Sequence, residues 1–183
     1  MWHQMTVAAP WVAFPEILEK TKGTWIFRTP DKTDGDNIHQ LIAKCPPLDT
    51  NSSYCNFLQS FHFKETCVLA ECEGDLAGFI SGYRKPYSPN ELFVWQVAVA
   101  PSHRGKGLAF AMLRNLLERE SLKGIEYVET TITESNQASW SLFKKLDKEN
   151  GDNGSKSIFL DEADHFNGKH DTEYLYRIPL LKI

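Results

Sequence analysis

The segment from Arg104 to Ala109 has the composition of an anion-binding loop. Two glycines alternate with two basic side chains in its first four positions, Arg-Gly-Lys-Gly. Glycine lets a ligand approach the backbone closely, and a helix that starts here would direct unpaired N–H groups and its positive dipole end at that ligand. The spacing therefore predicts an anion site, whose members are Arg104, Gly105, Lys106, Gly107, Leu108 and Ala109.

Two common nucleotide motifs do not fit this segment. A Walker loop requires Gly-Lys-Ser/Thr at a fixed distance from an earlier glycine, and neither glycine here has that spacing. A dinucleotide-binding fingerprint requires a third small residue at the position that Phe110 occupies. The remaining alternatives are a different phosphate ligand or an ordinary surface turn with basic residues.

The elements around the loop favour a ligand site over a turn. Leu92–Val99 is apolar except at Gln96, which is typical of a central strand buried on both faces. Pro101 ends that strand because proline has no backbone N–H to donate. After the loop, leucines and a methionine recur at helical spacing, which predicts an amphipathic helix that Gly124 ends.

The rest of the chain alternates between strand and helix patterns. The sequence predicts strands at 24–28, 66–71, 76–83, 127–133, 158–160 and 173–180, helices at 36–45, from about 53 to 61 and at 136–146, a turn at 85–91 and loops at 149–156 and 161–171. Strands in a run, interrupted by helices, predict an α/β fold with a mixed central β-sheet flanked by helices on both faces.

Composition limits the class of protein. The chain has 183 residues, of which 42% are hydrophobic, so we expect one domain over 24–183 after an N-terminal extension, 1–23. A net charge of -4 argues against a general nucleic-acid binder. Residues 2–14 resemble neither a signal peptide nor a membrane span. Four cysteines without a Cys-x-x-Cys pair suggest free thiols, and hence a cytoplasmic protein.

The pattern Arg104-x-x-Gly107-x-Ala109 resembles the pyrophosphate loop of the GNAT superfamily of N-acetyltransferases, which binds acetyl-coenzyme A. Two further segments resemble cofactor-binding positions of that superfamily. They are the strand end Val97, Ala98 and Val99, which pairs with the pantetheine arm beside splayed strands, and the helix start Asn136 and Ser139. The resemblance implies the GNAT acyltransferase fold and acetyl-CoA as co-substrate. Asn136 is equally suited to capping its own helix.

A narrower resemblance covers residues 25–179. The blocks at 48–55, 92–99 and 170–173 resemble the L-2,4-diaminobutyrate acetyltransferase family of ectoine biosynthesis. The resemblance implies transfer of acetyl to the γ-amino group of that small molecule, in a homodimer, with no metal, membrane or nucleic-acid partner. Many GNAT members have a tyrosine that protonates the leaving thiolate where this chain has Phe143. Tyr54 or solvent would then supply the proton.

An amine substrate requires a proton acceptor, because an alkyl ammonium of pKa about 10 cannot attack a thioester. Glu173, with His170 beside it, is the predicted catalytic acceptor; a salt bridge at a strand start is the alternative role of Glu173. Asp49 is predicted to hold a substrate ammonium, or else to cap a helix. The other predicted substrate-binding residues are Tyr54, Trp95 and Glu134.

Other functions remain open at this stage. The substrate is alternatively another small amine, such as a polyamine, lysine or ornithine. Phe143 also suits a non-catalytic module that only binds acetyl-CoA. His165, His170 and Glu173 do not have the spacing of a good metal set, so we expect no metal ion.

Overall fold

A computed structural model describes residues 24–181, so the predicted extension at 1–23 lies outside the described residues. Within them lies one sheet of seven strands in the order β1-β2-β3-β4-β5-β7-β6. The strands are β1 Ile26–Arg28, β2 Val68–Cys72, β3 Asp75–Lys85, β4 Ser88–Val99, β5 Tyr127–Thr133, β6 Ser155–Leu160 and β7 Glu173–Pro179. The α-helices are α1 Gly35–Ala43, α2 Ser53–His62, α3 Leu108–Leu117 and α4 Gln137–Glu149.

Helices cover both faces of the sheet, as the sequence predicted. The apolar sides of α3 and α4 pack on one face, through residues such as Met112 and Phe143. Ile38, Leu41 and Ile42 of α1 pack on the other face. The sheet is mixed because β4 and β5 run parallel, whereas every other adjacent pair of strands in the described sheet is antiparallel. The predicted α/β class is therefore confirmed.

The central strand starts earlier than the sequence predicted. Residues 85–91 were expected to form a turn because they include two prolines, yet β4 begins at Ser88 and contains Pro89. Lys85 pairs with Ser88 in a tight hairpin, and β4 does not meet β5 until Glu91. Pro89 lies before that second pairing begins, so its missing N–H is not needed there. The expected helix end was also wrong, since α3 stops at Leu117, ahead of Gly124.

A β-bulge interrupts β4 next to its centre. Ser81 pairs with Gln96 and Gly82 pairs with Val94, which leaves Trp95 as the extra residue. Leu92 and Val94 pack in the core under α3, but after the bulge it is Ala98 that joins the core under α1. The bulge thus reverses the side to which even-numbered residues point.

The strands β4 and β5 pair along only part of their length. Their register comprises three pairs, from Glu91 with Tyr127 to Phe93 with Glu129. Beyond them β4 continues with β3 up to Val99, and β5 continues with β7 up to Thr133. The centre of the sheet therefore opens into a wedge.

Ion pairs hold the closed end of this wedge. The buried Glu129 carboxylate accepts from Lys85 at 2.8 Å and from Arg177 at 3.2 Å. Glu91 binds the same two cations, at 2.6 and 2.8 Å. Two carboxylates and two cations joined in this way compensate the desolvation of the buried glutamate. The network ties β3, β4, β5 and β7 together just below the point of separation.

No α-helix in residues 24–181 is long and apolar enough to cross a membrane.

Candidate active site

A cavity of about 400 Å³ lies where β4 and β5 separate. Its walls come from the end of β4, the end of β5, the start of α4, the loop between α1 and α2, and the start of β7. The lining residues are Pro47, Leu48, Asp49, Asn51, Trp95, Gln96, Val97, Thr130, Thr131, Ile132, Thr133, Ser135, Asn136, Ser139, Phe143, His170, Asp171 and Glu173.

The cavity brings together residues that the sequence predicted from four distant segments. The predicted members that line it are Asp49, Trp95, Val97, Asn136, Ser139, His170 and Glu173. Tyr54 and Glu134 are not among the lining residues. Tyr54 is 69% exposed on α2, and the Glu134 carboxylate accepts from the Lys156 ammonium at 2.7 Å. The structure therefore separates these two side chains from the carboxylates of the cavity.

Glu173 has the electrostatics of a proton acceptor. It opens β7 opposite Thr133 and is half-buried. Burial raises the pKa of its carboxyl, and the charges of Asp49 and Asp171 raise it further. The Thr131 hydroxyl and the His170 ring lower that pKa again, so the carboxyl remains able to ionise. A raised pKa brings a glutamate closer to the strength of a useful base.

His170 links the carboxylates of the cavity. Its Nδ1 donates to the Asp171 carbonyl at 2.8 Å, and this hydrogen bond is the main cause that raises the pKa of the ring. Its Nε2 lies 3.9 Å from the Asp49 carboxylate. The ring of Phe166 packs against it with centroids 4.7 Å apart. His170 is thus oriented by three neighbours, with its cationic form favoured among acidic groups.

The acidic groups outnumber the basic ones around this space. Asp49, Asp171 and Glu173 line it, and His170 is the lining side chain that can carry a positive charge. Such a cavity favours a small cationic ligand over an anionic one.

The anion loop has the geometry that its sequence predicted. Gly105 and Gly107 have φ angles of 71° and 84°, and no atom lies within 4 Å of where a Cβ would stand. The Ala111 N–H donates to the Gly107 carbonyl at 3.0 Å as α3 begins, so the amides before it have no acceptor within the helix. The Arg104 Nε donates to the Val99 carbonyl at 3.1 Å, which fixes the loop to the end of β4.

The start of α4 forms another wall of the cavity. The Asn136 side chain caps the helix, because its Oδ1 accepts from the Ser139 N–H at 3.1 Å. The Trp140 indole donates to the Thr133 carbonyl at 3.1 Å and so joins α4 to the end of β5. Phe143 is buried and lines the cavity, which places an apolar ring where a hydroxyl was a possible donor.

Seven polar residues of the cavity were not predicted as site residues: Asn51, Gln96, Thr130, Thr131, Thr133, Ser135 and Asp171. Gln96 carried a signal, since it is the one polar residue in an otherwise apolar strand segment. Its Nε2 donates to the Asp49 carbonyl at 2.9 Å, which joins β4 to the α1–α2 loop. Asn51 and Asp171 lie within the blocks at 48–55 and 170–173 that carry the family resemblance. The threonines and Ser135 carried no signal, because short polar residues in loops and half-buried strands are common.

Within residues 24–181 no cluster of three or more His, Cys, Asp or Glu side chains is arranged to hold a metal ion.

Comparisons with known proteins agree with this geometry. Residues 35–147 match the model of the acetyltransferase (GNAT) family. The chain is 64% identical over 180 residues to L-2,4-diaminobutyric acid acetyltransferase of Vibrio parahaemolyticus, covering 98% of this chain and 99% of that one. It is 49% identical over 148 residues to the protein of the same name from Methylotuvimicrobium alcaliphilum, covering 81% and 86%.

A solved structure is also similar. Diaminobutyrate acetyltransferase EctA from Paenibacillus lautus, in complex with its substrate L-2,4-diaminobutyric acid and coenzyme A, matches with a TM-score of 0.83 at 38% identity. The match covers 88% of this chain and 99% of that one.

We predict that Glu173→Gln stabilises the fold. Burial raises the pKa of Glu173, so the folded state disfavours the ionised carboxylate that the unfolded chain carries without penalty. The amide removes this penalty, so the melting temperature of the variant should exceed that of the wild type at neutral pH. The difference should shrink as the pH falls through the raised pKa and vanish below about 4, where both states are protonated.

Glu120→Gln serves as the control, because Glu120 lies on an exposed turn with its side chain 87% exposed. Its melting temperature should follow the wild type at every pH. A Glu173→Gln protein that melts below the wild type at neutral pH would contradict the burial cost.

Proposed function

We propose how this site works from one premise: the chain belongs to the acetyltransferase (GNAT) family. It is an acetyl-CoA-dependent N-acetyltransferase that transfers acetyl to the γ-amino group of L-2,4-diaminobutyrate. One observation carries this conclusion above the others. An acidic cavity opens where β4 and β5 separate, in a chain 64% identical along almost its whole length to a diaminobutyrate acetyltransferase.

The residues of the anion loop fit the diphosphate of coenzyme A. Amides without a helical acceptor converge at Gly105 to Ala109, and the open space beside both glycines lets the diphosphate reach the backbone. The edge of β4 that β5 has left, at Val97, Ala98 and Val99, offers backbone groups to the amides of the pantetheine arm. Asn136 and Ser139 close the other side of this path. When bound, acetyl-CoA supplies the activated acyl group.

The acidic wall of the cavity, formed by Asp49, Asp171 and Glu173, binds the amine. Asp49 and Glu173 carry carboxylates that bind a diamine, and Glu173 takes the proton that must leave the reacting ammonium. His170 lies beside Glu173, and a positive charge on its ring lowers the pKa of the Glu173 carboxyl, which opposes the effect of burial. Trp95 forms the apolar wall along which the substrate chain lies. The freed nitrogen lone pair then attacks the acetyl carbon. As the tetrahedral adduct collapses, the nitrogen loses its second proton to solvent and the carbon–sulfur bond breaks, which leaves the amide and the thiolate of coenzyme A.

The developing charge on the acetyl oxygen requires a donor. We assign this role to a backbone N–H near Val97, in the part of β4 that no longer pairs with β5. Phe143 cannot protonate the departing thiolate, and Tyr54 lies outside the cavity, so solvent at the mouth of the wedge serves as the proton source.

The wider biological setting follows from the same reaction. We place the product in ectoine biosynthesis, and hence in the making of a compatible solute in the cytoplasm. Residues 24–183 form the acetyltransferase domain and 1–23 an extension to it. The enzyme works as a homodimer. Exposed apolar side chains on the edge strand β6, Ile158 and Phe159, support a contact between copies.

Thiol release on mixing the protein with acetyl-CoA and a panel of amines tests this function. We expect rapid release with L-2,4-diaminobutyrate, and mass spectrometry should locate the acetyl group on the γ-nitrogen. Ornithine, lysine and spermidine should react at least ~10-fold more slowly, since a pocket that fits one chain length loses contacts with another. Binding of acetyl-CoA without thiol release from any amine would instead identify a non-catalytic module.

We predict that Gly107→Ala weakens binding of coenzyme A ~10-fold. A side chain at φ 84° costs about 1–2 kcal/mol, and relief of this strain would displace the amides of the loop. Gly124→Ala is the matched control, because Gly124 has φ 83° and equally open surroundings but lies after α3. Calorimetry should find equal losses of stability in the two variants, with coenzyme A affinity reduced in Gly107→Ala alone. Equal affinities would contradict the assignment of the loop.

A further inference from the structure

His170 is the source of positive charge in an acidic cavity. Among the described residues that line the cavity, the carboxylates are Asp49, Asp171 and Glu173, and none is a lysine or an arginine. Asp49 lies in the loop between α1 and α2, Asp171 comes directly after the histidine, and Glu173 opens β7. A protonated His170 ring therefore offsets part of the negative charge of all three.

The proton that His170 can lose is the one on Nε2. Nδ1 lies 2.8 Å from the Asp171 carbonyl, which can only accept, so Nδ1 keeps its hydrogen in the charged ring and in the neutral one. The Phe166 ring, with centroids 4.7 Å apart, packs against the imidazole in this orientation. Loss of the other proton leaves a lone pair on Nε2, the nitrogen that lies 3.9 Å from the Asp49 carboxylate.

The Asp49 and His170 side chains are both accessible from the cavity that they line. The Asp49 side chain is 84% exposed and the His170 side chain 36%. Their separation of 3.9 Å is too long for a direct hydrogen bond, but an ammonium group has three N–H donors and can donate to both. It can do so only when Nε2 is unprotonated, because an imidazolium has no lone pair to offer and repels a cation. The Asn51 and Gln96 amides of the same wall are uncharged and their unpaired atoms are buried, so neither enters this charge balance.

We propose that the ammonium group of the substrate that is not acetylated binds between the Asp49 carboxylate and His170 Nε2, and that its binding expels the Nε2 proton to solvent. One cation thereby replaces another among the carboxylates. This inference rests on the proposed function, because it assumes a substrate with two amino groups.

The ring is charged in the pH range where the exchange can be measured. The hydrogen bond to the Asp171 carbonyl raises the pKa of His170, and the charges of Glu173, Asp49 and Asp171 raise it further. More than half of the rings are therefore protonated at pH 6.5, the ordinary pKa of histidine. The expelled proton should make the affinity for the diamine rise with pH until the ring is neutral, and become constant above that point.

Calorimetry can count the expelled protons. L-2,4-diaminobutyrate is titrated at pH 6.5 into protein saturated with coenzyme A, in buffers that differ in their enthalpy of ionisation. The wild type should release at least about half a proton per ligand, because more than half of its rings are charged. His170→Gln should lose this release. His62→Gln is the matched control, since His62 is exposed on α2 and does not line the cavity, and it should release as many protons as the wild type.

Three further variants sharpen the test. Glu173 is another lining group with a raised pKa, so Glu173→Gln should keep most of the release if His170 is its source. His170→Gln and His170→Lys differ in the charge that they place beside Asp49. The permanently charged lysine should bind the diamine at least ~10-fold more weakly than the neutral glutamine, because two cations would then lie a few ångströms apart. Unchanged affinity for coenzyme A shows that each variant is folded.

Three results would overturn the exchange: uptake of protons by the wild type, equal release by the wild type and His170→Gln, or His170→Lys that binds the diamine as tightly as His170→Gln. The first and third would instead place a charged His170 against the carboxylate of the substrate. The proton counts of the wild type and Glu173→Gln need no substitution at His170, so they carry the test even if both His170 variants fail to fold. Absence of thiol release from acetyl-CoA with the wild type and diaminobutyrate would count against the proposed function, whereas these binding measurements do not depend on turnover.

Discussion

Three residue pairs hold β4 against β5, and the whole site depends on where that pairing stops. Beyond Phe93 and Glu129, β4 pairs only with β3 and β5 only with β7. The backbone groups that would otherwise join β4 to β5 by hydrogen bonds face the cavity instead. The Glu129 ion pairs with Lys85 and Arg177 fix the closed end. In the proposed function, the open end receives the acyl donor from the side of the loop and the cationic amine from the side of Asp49 and Glu173.

The anion loop and the acidic side of the cavity have opposite electrostatics. At Gly107 the helix start presents N–H groups, which favour anions without placing a buried charge in the wedge. At the start of β7, Glu173 is half-buried among acidic neighbours, and burial raises the pKa of its carboxyl, which suits the proton acceptor of the proposed function. The His170 ring lowers the pKa of Glu173 and so opposes part of the effect of burial. If Glu173 is the proton acceptor, as proposed, a protein without this burial would be more stable and less active, which is the ordinary conflict between stability and function.

The sequence predicted contiguous features well and spatial ones less well. The loop at Arg104 and the strand Tyr127–Thr133 were predictable because their signals lie in consecutive residues. The prediction of a turn at Pro89 was wrong, because a proline fits a strand wherever its missing N–H has no hydrogen bond to make. Only the position at which β4 meets β5 shows that Pro89 is such a case. The bulge at Trp95 has no local signature, so the sequence marks Gln96 as an exception in its strand but does not reveal which side of the sheet it faces. Distance along the chain also says little about which carboxylates meet, and Glu134 pairs with a lysine outside the cavity.

The central claim is that the wedge delivers an acyl donor to an amine that Glu173 deprotonates. Its most direct test is the single-turnover rate of Glu173→Gln, preloaded with acetyl-CoA, across pH, with Glu120→Gln as control. We expect the variant to be ~100- to 10,000-fold slower than the wild type at neutral pH, and to gain about tenfold per pH unit as free amine appears in solution. A variant with the wild-type rate and pH profile would contradict the account.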